Sequence, residues 1–489
     1  MYKDIAINFL VTVIISFLTF IVNRYFAIYI GAQNLGLMKL FTQILAYLNL
    51  AEIGLGSAST FALYKPLNEK NYEKISIIIN TIMVLYNKIF FFILVVGLIL
   101  NPIIPFFIKD EVPGKEIYIY WSLYVMSTAL SYCFIKYNVL FTADQKFYFV
   151  RIVQGCSRAF CQILQIIAIV KMQSFFAFIV CLIFDNLIQY VIFRNYYKKY
   201  YKYVIKTKQR DNSIIRNLKN LIWHRIGTLV VFNTDLILIS KFISLEIVGI
   251  YASYQMIVQM ITVIINIVLN VLRPKIGKFI AENDKEEVFD YWKNLDILFL
   301  FISLFFSYCT YMLINSFISL WMGENFRLPN FTVILIIINL FIQNFRGIID
   351  VFKEGSGFFD DVHMPISEAV INFVTSFVLV KYIGLNGVII GTVVSNILII
   401  CIARSILIFK KCFDKTVKEY IKIYGMYLIL IILSMLSCNF IFKFITLREI
   451  TSWLEWIKQG IIIGTISFIV LGIIFLGNKN FRISIKKLF

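Results

Sequence analysis

The chain has 489 residues, of which 60% are hydrophobic and only 15% charged, with a mean hydropathy of +0.82. Its formal net charge is +19. A basic soluble protein would suggest nucleic acid, but a composition this apolar excludes a soluble core and that partner with it.

A helix needs about 20 mostly apolar residues to cross a bilayer. Stretches of that kind predict spans near 5–30, 36–61, 75–107, 117–141, 147–170, 174–193, 217–240, 246–271, 294–320, 329–352, 365–383, 386–409, 420–442 and 457–477. The first follows Met1-Tyr2-Lys3-Asp4, outruns a signal-peptide core and ends without a small-residue cleavage site. It is expected to be a retained span. Of the 47 basic residues, 27 fall at the chain ends and the even-numbered connections, 7 at odd-numbered ones and 13 inside spans. Lysine and arginine resist translocation, so both termini are expected in the cytoplasm. The fold class is therefore an all-α polytopic membrane protein.

The longest basic connection, 194–220, has six spans before it and eight after, and a second, with Lys410, Lys411, Lys415, Lys418 and Lys422, precedes the last two. The spans divide as six, six and two. This predicts an N-terminal lobe over 1–200, a cytoplasmic linker over 201–216, a C-terminal lobe over 217–410, and two extra spans with a basic tail over 411–489. Repeated six-helix halves are a transporter architecture. Ile30–Gly36 with Gln43 is echoed by Ile243–Gly249 with Gln255, each after the first span of its half. A generic short turn between helices explains those residues equally well.

Polar residues inside spans line up at helical spacing. Span 1 carries Asn8, Thr12, Ser16, Thr19 and Asn23, with Arg24 beside them. Span 5 carries Arg151, Gln154, Arg158, Gln162 and Gln165. Span 7 carries Asn217, Asn220, His224, Thr228 and Asp235, next to Arg225. Span 8 carries Gln255, Gln259, Thr262, Asn266 and Asn270, and span 10 carries Asn339, Gln343, Arg346, Asp350 and Lys353. Glu52, Lys88, Lys136, Asp185 and Asp296 are further intramembrane charges. Interhelical hydrogen bonds, at about 0.6 kcal/mol each, account for one such row. Five rows with several arginines favour a hydrated cavity, because lipid penalises an intramembrane charge by several kcal/mol. Arg346 and Asp350, four residues apart, can neutralise each other. No carboxylate stands three or four residues from Arg24, Arg158 or Arg225, so these are the best candidates to receive an anion, and a guanidinium suits phosphate oxygens.

The candidate cavity cations are Arg24, Lys88, Arg158, Arg225 and Arg346. The candidate polar or ion-coupling residues are Asn23, Glu52, Gln162, Asp185, His224, Asp235, Gln255, Gln259, Asn266, Gln343 and Asp350. The eight cysteines form no CxxC and neither His224 nor His363 has a metal-ligand companion, so no metal site is expected. No phosphate-binding GxxxxGK[ST] loop, GxSxG or HExxH stands in the sequence, and no cofactor or enzymatic activity is expected.

Four stretches resemble a known family. They are Tyr29–Gly36 followed by Leu48–Ala58; Thr234-Asp235 through Tyr251; Pro365–Ala369 with Asn372; and Gly384–Thr392. In order and spacing the chain resembles the polysaccharide-transport branch of the multidrug/oligosaccharidyl-lipid/polysaccharide superfamily, the Wzx-type flippases of O-antigen and capsule repeat units. The resemblance implies a MATE-like fold of two six-helix lobes plus two extra C-terminal helices, about 14 in all. It implies transfer of undecaprenyl-diphosphate-linked oligosaccharide from the cytoplasmic to the outer leaflet of a bacterial inner membrane, by alternating access. Membrane lipids, a polysaccharide polymerase and a chain-length regulator are the implied partners. The family's use of cations on the first span of each lobe carries over to Arg24 and Arg225. A lipid II or teichoic-acid precursor flippase, or a MATE-type multidrug/cation antiporter, is the alternative on the same fold.

Overall fold

A computed structural model describes residues 2–52, 55–110, 114–211, 234–358, 361, 363–445 and 449–488. The described residues are helices and connecting turns, with no strand among them. Ten stretches among them are long and apolar enough to cross a membrane. Several sequence-predicted spans differ in form, for local reasons. Span 36–61 breaks into α2 (Ala32–Leu48) and α3 (Leu55–Asn68) around a 3-10 turn, Asn49–Glu52, where polar side chains interrupt the apolar run. Spans 365–383 and 386–409 lie within one stretch, His363–Cys412, that doubles back at Gly384. Most of span 217–240 lies outside the described residues.

The chain forms two compact units, Met1–Gly249 and Ile250–Phe489. The first contains α1 (Tyr2–Tyr29), α2, α3, α4 (Tyr72–Ile99), α5 (Glu116–Ala143), α6 (Phe147–Ile167), α7 (Phe175–Tyr200) and α8 (Asp235–Phe242). Helix starts follow capping rules: Asn71 accepts from the Lys74 N–H before α4, and Ser174 from the Ala177 N–H before α7. α1 packs along α6, α5 lies between α4 and α7, and α2 packs on α8. The start of α9 (Leu245–Glu282) belongs to this unit as well. It is fastened by the Asp110 carboxylate, which accepts from the Leu245 N–H at 2.7 Å, and by Lys109, which donates to the Phe242 carbonyl at 3.0 Å.

The second unit holds the rest of α9, α10 (Lys285–Met322), α11 (Asn330–Phe345), α12 (Gly347–Gly355) and α13 (His363–Ser395). It continues through a π-helical segment (Asn396–Arg404) to α14 (Ser405–Cys412), α15 (Val417–Lys443), α16 (Trp453–Leu476) and α17 (Lys479–Leu488). α13 is a hairpin of two arms. Gly384 adopts φ 57°, the left-handed region glycine tolerates, and Ser376 Oγ donates to the Val388 carbonyl across the turn at 3.0 Å. Thr416 and Glu419 form a capping box at the start of α15. α16 packs on α10, and α17 drops Phe481 against Phe301 and Phe475.

Candidate functional site

The polar rows of spans 1 and 5 meet each other. Arg151 donates to Thr12 Oγ1 at 3.1 Å, and Gln162 Nε2 donates to Thr19 Oγ1 at 2.7 Å. Asn23 turns its amide back onto the Thr19 carbonyl at 2.7 Å. At these positions the rows bond helix to helix, the use weighed above against a hydrated cavity. Gln162 and Asn23 are buried there, and Arg24 is half-buried one residue on.

Arg158 lies elsewhere on α6, and although no carboxylate stands one turn from it on that helix, one attends it from another. Its guanidinium pairs with Asp185 of α7 at 3.2 Å. Helical spacing finds partners only on the same helix, whereas this one comes from the packing of α6 on α7. Asp185 is 3% exposed and also accepts from Ser157 Oγ at 2.6 Å and Gln189 Nε2 at 3.0 Å. The carboxylate is thus held in place, and it fixes one edge of the arginine. The Arg158 side chain remains 46% exposed and lines a cleft of about 300 Å³.

Thr42, Asn49, Tyr124, Ser127 and Asn186 share that cleft. Asn186 Nδ2 donates to Ser127 Oγ at 3.0 Å, and Asn49 Oδ1 accepts from the Tyr132 hydroxyl at 3.0 Å. Glu52 lies close to Tyr132 as well. Tyr124 is 6% exposed, with its ring edge-on to Phe41 and tilted against Phe175, yet its hydroxyl has no hydrogen-bond partner among the described residues. Sequence reasoning missed Tyr124, Ser127, Asn49 and Asn186. They are uncharged, and only their convergence from separate elements distinguishes them. The break after Leu48 was the available signal, since interrupted helices free polar groups for a ligand.

The other candidates of the first unit stand apart from this cleft. Lys88 is on an exposed groove of α4 with Asn87, Phe91 and Phe92. Asp235 starts α8 near Tyr47 of α2. His224 and Arg225 lie outside the described residues.

In the second unit Arg346 sits 3.9 Å from Asp350, as the four-residue spacing predicts. Asp350 is held more tightly by Arg404 at 3.1 Å. Arg404 also reaches Asp361 at 3.0 Å, and Lys353 bonds Asp361 at 2.8 and 2.9 Å. Glu368, 6% exposed, lies within electrostatic reach of Arg346 and Arg404. Among the described residues, three cations therefore face three carboxylates. Arg404 and Asp361 were missed, although a lone arginine in the apolar run 397–409 carried the same intramembrane signal as Arg158. Burial pushes the Asp361 carboxyl up, but Lys353, by hydrogen bond and charge, and then Arg404 outweigh it and hold it below the ordinary range. Gln343 is half-buried on α11 one turn before Gly347. Gln255 is half-buried on α9, and Gln259 and Asn266 are exposed further along it.

The described residues form a helical, membrane-spanning fold with a polar cleft inside its first unit. Solved structures agree on the fold. "Lipid II flippase MurJ, inward closed conformation" is 12% identical, with a TM-score of 0.70 over 96% of this chain and 98% of that one. An inward-facing multidrug resistance MATE family transporter of the MOP superfamily is 12% identical, with a TM-score of 0.65 over 84% and 96%. A mutant of the Vibrio cholerae MATE transporter VcmN is 15% identical, with a TM-score of 0.52 over 84% and 98%. The fold is the MurJ/MATE-like fold that the family resemblance implied. Residues 1–280 match the family model of polysaccharide biosynthesis proteins, and the chain belongs to that family. No curated protein sequence matches it.

Proposed function

We propose that this protein is a lipid-linked oligosaccharide flippase, moving undecaprenyl-diphosphate-linked O-antigen or capsule repeat units to the outer leaflet of a bacterial inner membrane. The observation that carries the reading is the cleft around Arg158, rich in hydroxyls and amides, inside a membrane-spanning member of the polysaccharide biosynthesis family. The glycan and diphosphate cannot cross hydrocarbon, while the polyprenyl tail can stay in lipid, so a transporter must shelter only the polar head. Arg24 and Arg158 are the cations assigned to that head. The polymerase and chain-length regulator would take the unit once it is flipped.

A lipid II flippase is the second reading, because the MurJ structure accounts for 96% of the chain against 84% for the MATE transporters. A cationic-drug antiporter has less support: Asp185 and Asp350, two carboxylates such a cargo would seek, are bound to Arg158 and Arg404.

Arg24→Ala is expected to abolish surface polysaccharide, measured by immunoblot, with the protein still inserted in the membrane. Lysine at the same position restores only part of it, since it keeps the charge and loses the planar fork. Wild-type export by the alanine variant would remove Arg24 from the site. The topology proposed is both termini inside: reporter fusions at Gln209 and Lys487 should read cytoplasmic, and those at Gly114, Gly323 and Ser452 external. An external reading at Gln209 would overturn the map.

A further inference from the structure

The sequence treats Arg158 as a receptor for phosphate, but its setting suits a different ligand. Arg158 lines the cleft and Asp185, buried behind it, pairs with it at 3.2 Å, so the guanidinium's charge is already offset. An anion placed there would meet a guanidinium whose attraction the nearby Asp185 carboxylate weakens. A neutral polyol meets no such penalty, because arginine's free N–H groups donate to hydroxyl oxygens as readily as to phosphate. The rest of the lining is of the same kind. Thr42, Ser127 and Tyr124 carry hydroxyls, Asn49 and Asn186 carry amides, and about 300 Å³ lies at the small end of ligand clefts.

Tyr124 supplies the independent observation. It lines the cleft, and its hydroxyl is buried and has no hydrogen-bond partner among the described residues. A phenol in that state is unfavourable unless a ligand completes it. The rings of Phe41, edge-on, and Phe175 pack against its own, so the group cannot easily turn away. We propose that the cleft of the first unit is a subsite for one uncharged pyranose ring of the cargo, received by Tyr124, Asn186 and the open edge of Arg158, with the diphosphate held elsewhere. This rests on the flippase reading and adds to it which part of the cargo this cleft recognises.

The test uses the full chain in lipid nanodiscs and three probes: undecaprenyl diphosphate alone, the same lipid carrying a single N-acetylglucosamine, and the same lipid carrying a single glucuronate. The N-acetylglucosamine probe should bind roughly tenfold more tightly than the bare lipid, the gain of one or two hydrogen bonds to a buried site. Tyr124→Phe keeps the ring and its packing and should bring those two probes level. Asn186→Leu should do the same, so the result does not depend on one variant. Equal affinity of wild-type protein for the bare and N-acetylglucosamine lipids would overturn the subsite while leaving the flippase reading intact. Preference for the glucuronate lipid would overturn the neutral-ligand assignment. Failure to bind any of the three would overturn both.

Discussion

Gly36→Val is expected to abolish polysaccharide export and to lower the thermal stability of the purified protein by several degrees. A Cβ on Gly36 would stand 1.7 Å from the Leu245 carbonyl oxygen, and one on Gly249 would stand 2.6 Å from the Ala32 carbonyl oxygen. α2 and the start of α9 thus meet backbone to backbone, as only glycine permits. The obstacle is main chain rather than a flexible side chain, so the two helices must part. Overpacking typically costs about 1–3 kcal/mol, and a backbone clash lies at the upper end of that range or beyond. Gly425→Val is the control, since none of the described residues lies within 4 Å of a Cβ there. Export and melting temperature unchanged by Gly36→Val would show that this approach is not needed.

Arg404→Ala has the other large expected effect, a loss of about 3–5 kcal/mol in the second unit, as when one partner of a buried ion pair is removed. Arg404 is 15% exposed and binds two carboxylates at once. Without it, Arg346 and Lys353 face Asp350, Asp361 and Glu368, and one negative charge goes uncompensated. Arg404→Ala with Asp361→Asn should recover part of the loss, measured by thermal unfolding in detergent. The double variant falling as far as the single one would mean that charge balance is not the cause.

The pH dependence follows from the same contacts. Asp361 titrates below its unfolded value of about 3.8, so its stabilisation is complete above that pH and is lost as pH falls through the lower folded value. Arg404→Ala removes part of that lowering, and its acid-induced loss of stability should begin at a higher pH than in the wild type.

Much of this molecule is legible without a structure because a bilayer imposes a one-dimensional rule. Every spanning helix must be apolar for about 20 residues, and translocation sorts lysine and arginine between connections. The span starts and the hairpin at Gly384 follow from that rule and from local capping chemistry. The echo between Ile30–Gly36 and Ile243–Gly249 was also visible. That the two echoes touch at Gly36 and Gly249 was not, since nothing local says which helix a glycine faces.

Charges show the same division more sharply. Arg346 and Asp350 are one helical turn apart, and their proximity could be read from spacing alone. Arg158 and Asp185 stand on different helices 27 residues apart, and Arg404 and Asp361 are 43 apart. Position within an apolar run shows that an arginine is costly in lipid, whereas only helix packing decides what compensates it. The uncharged lining of the cleft lies further still from sequence reasoning. Tyr124, Asn49 and Asn186 look ordinary in their own stretches of sequence. Composition and periodicity act along one helix and therefore determined the class and the apolar stretches, and nominated the candidate cations. The choice between a helix-to-helix bond, a closed ion network and an open cleft depends on side chains from separate helices meeting, and tertiary packing alone decided it.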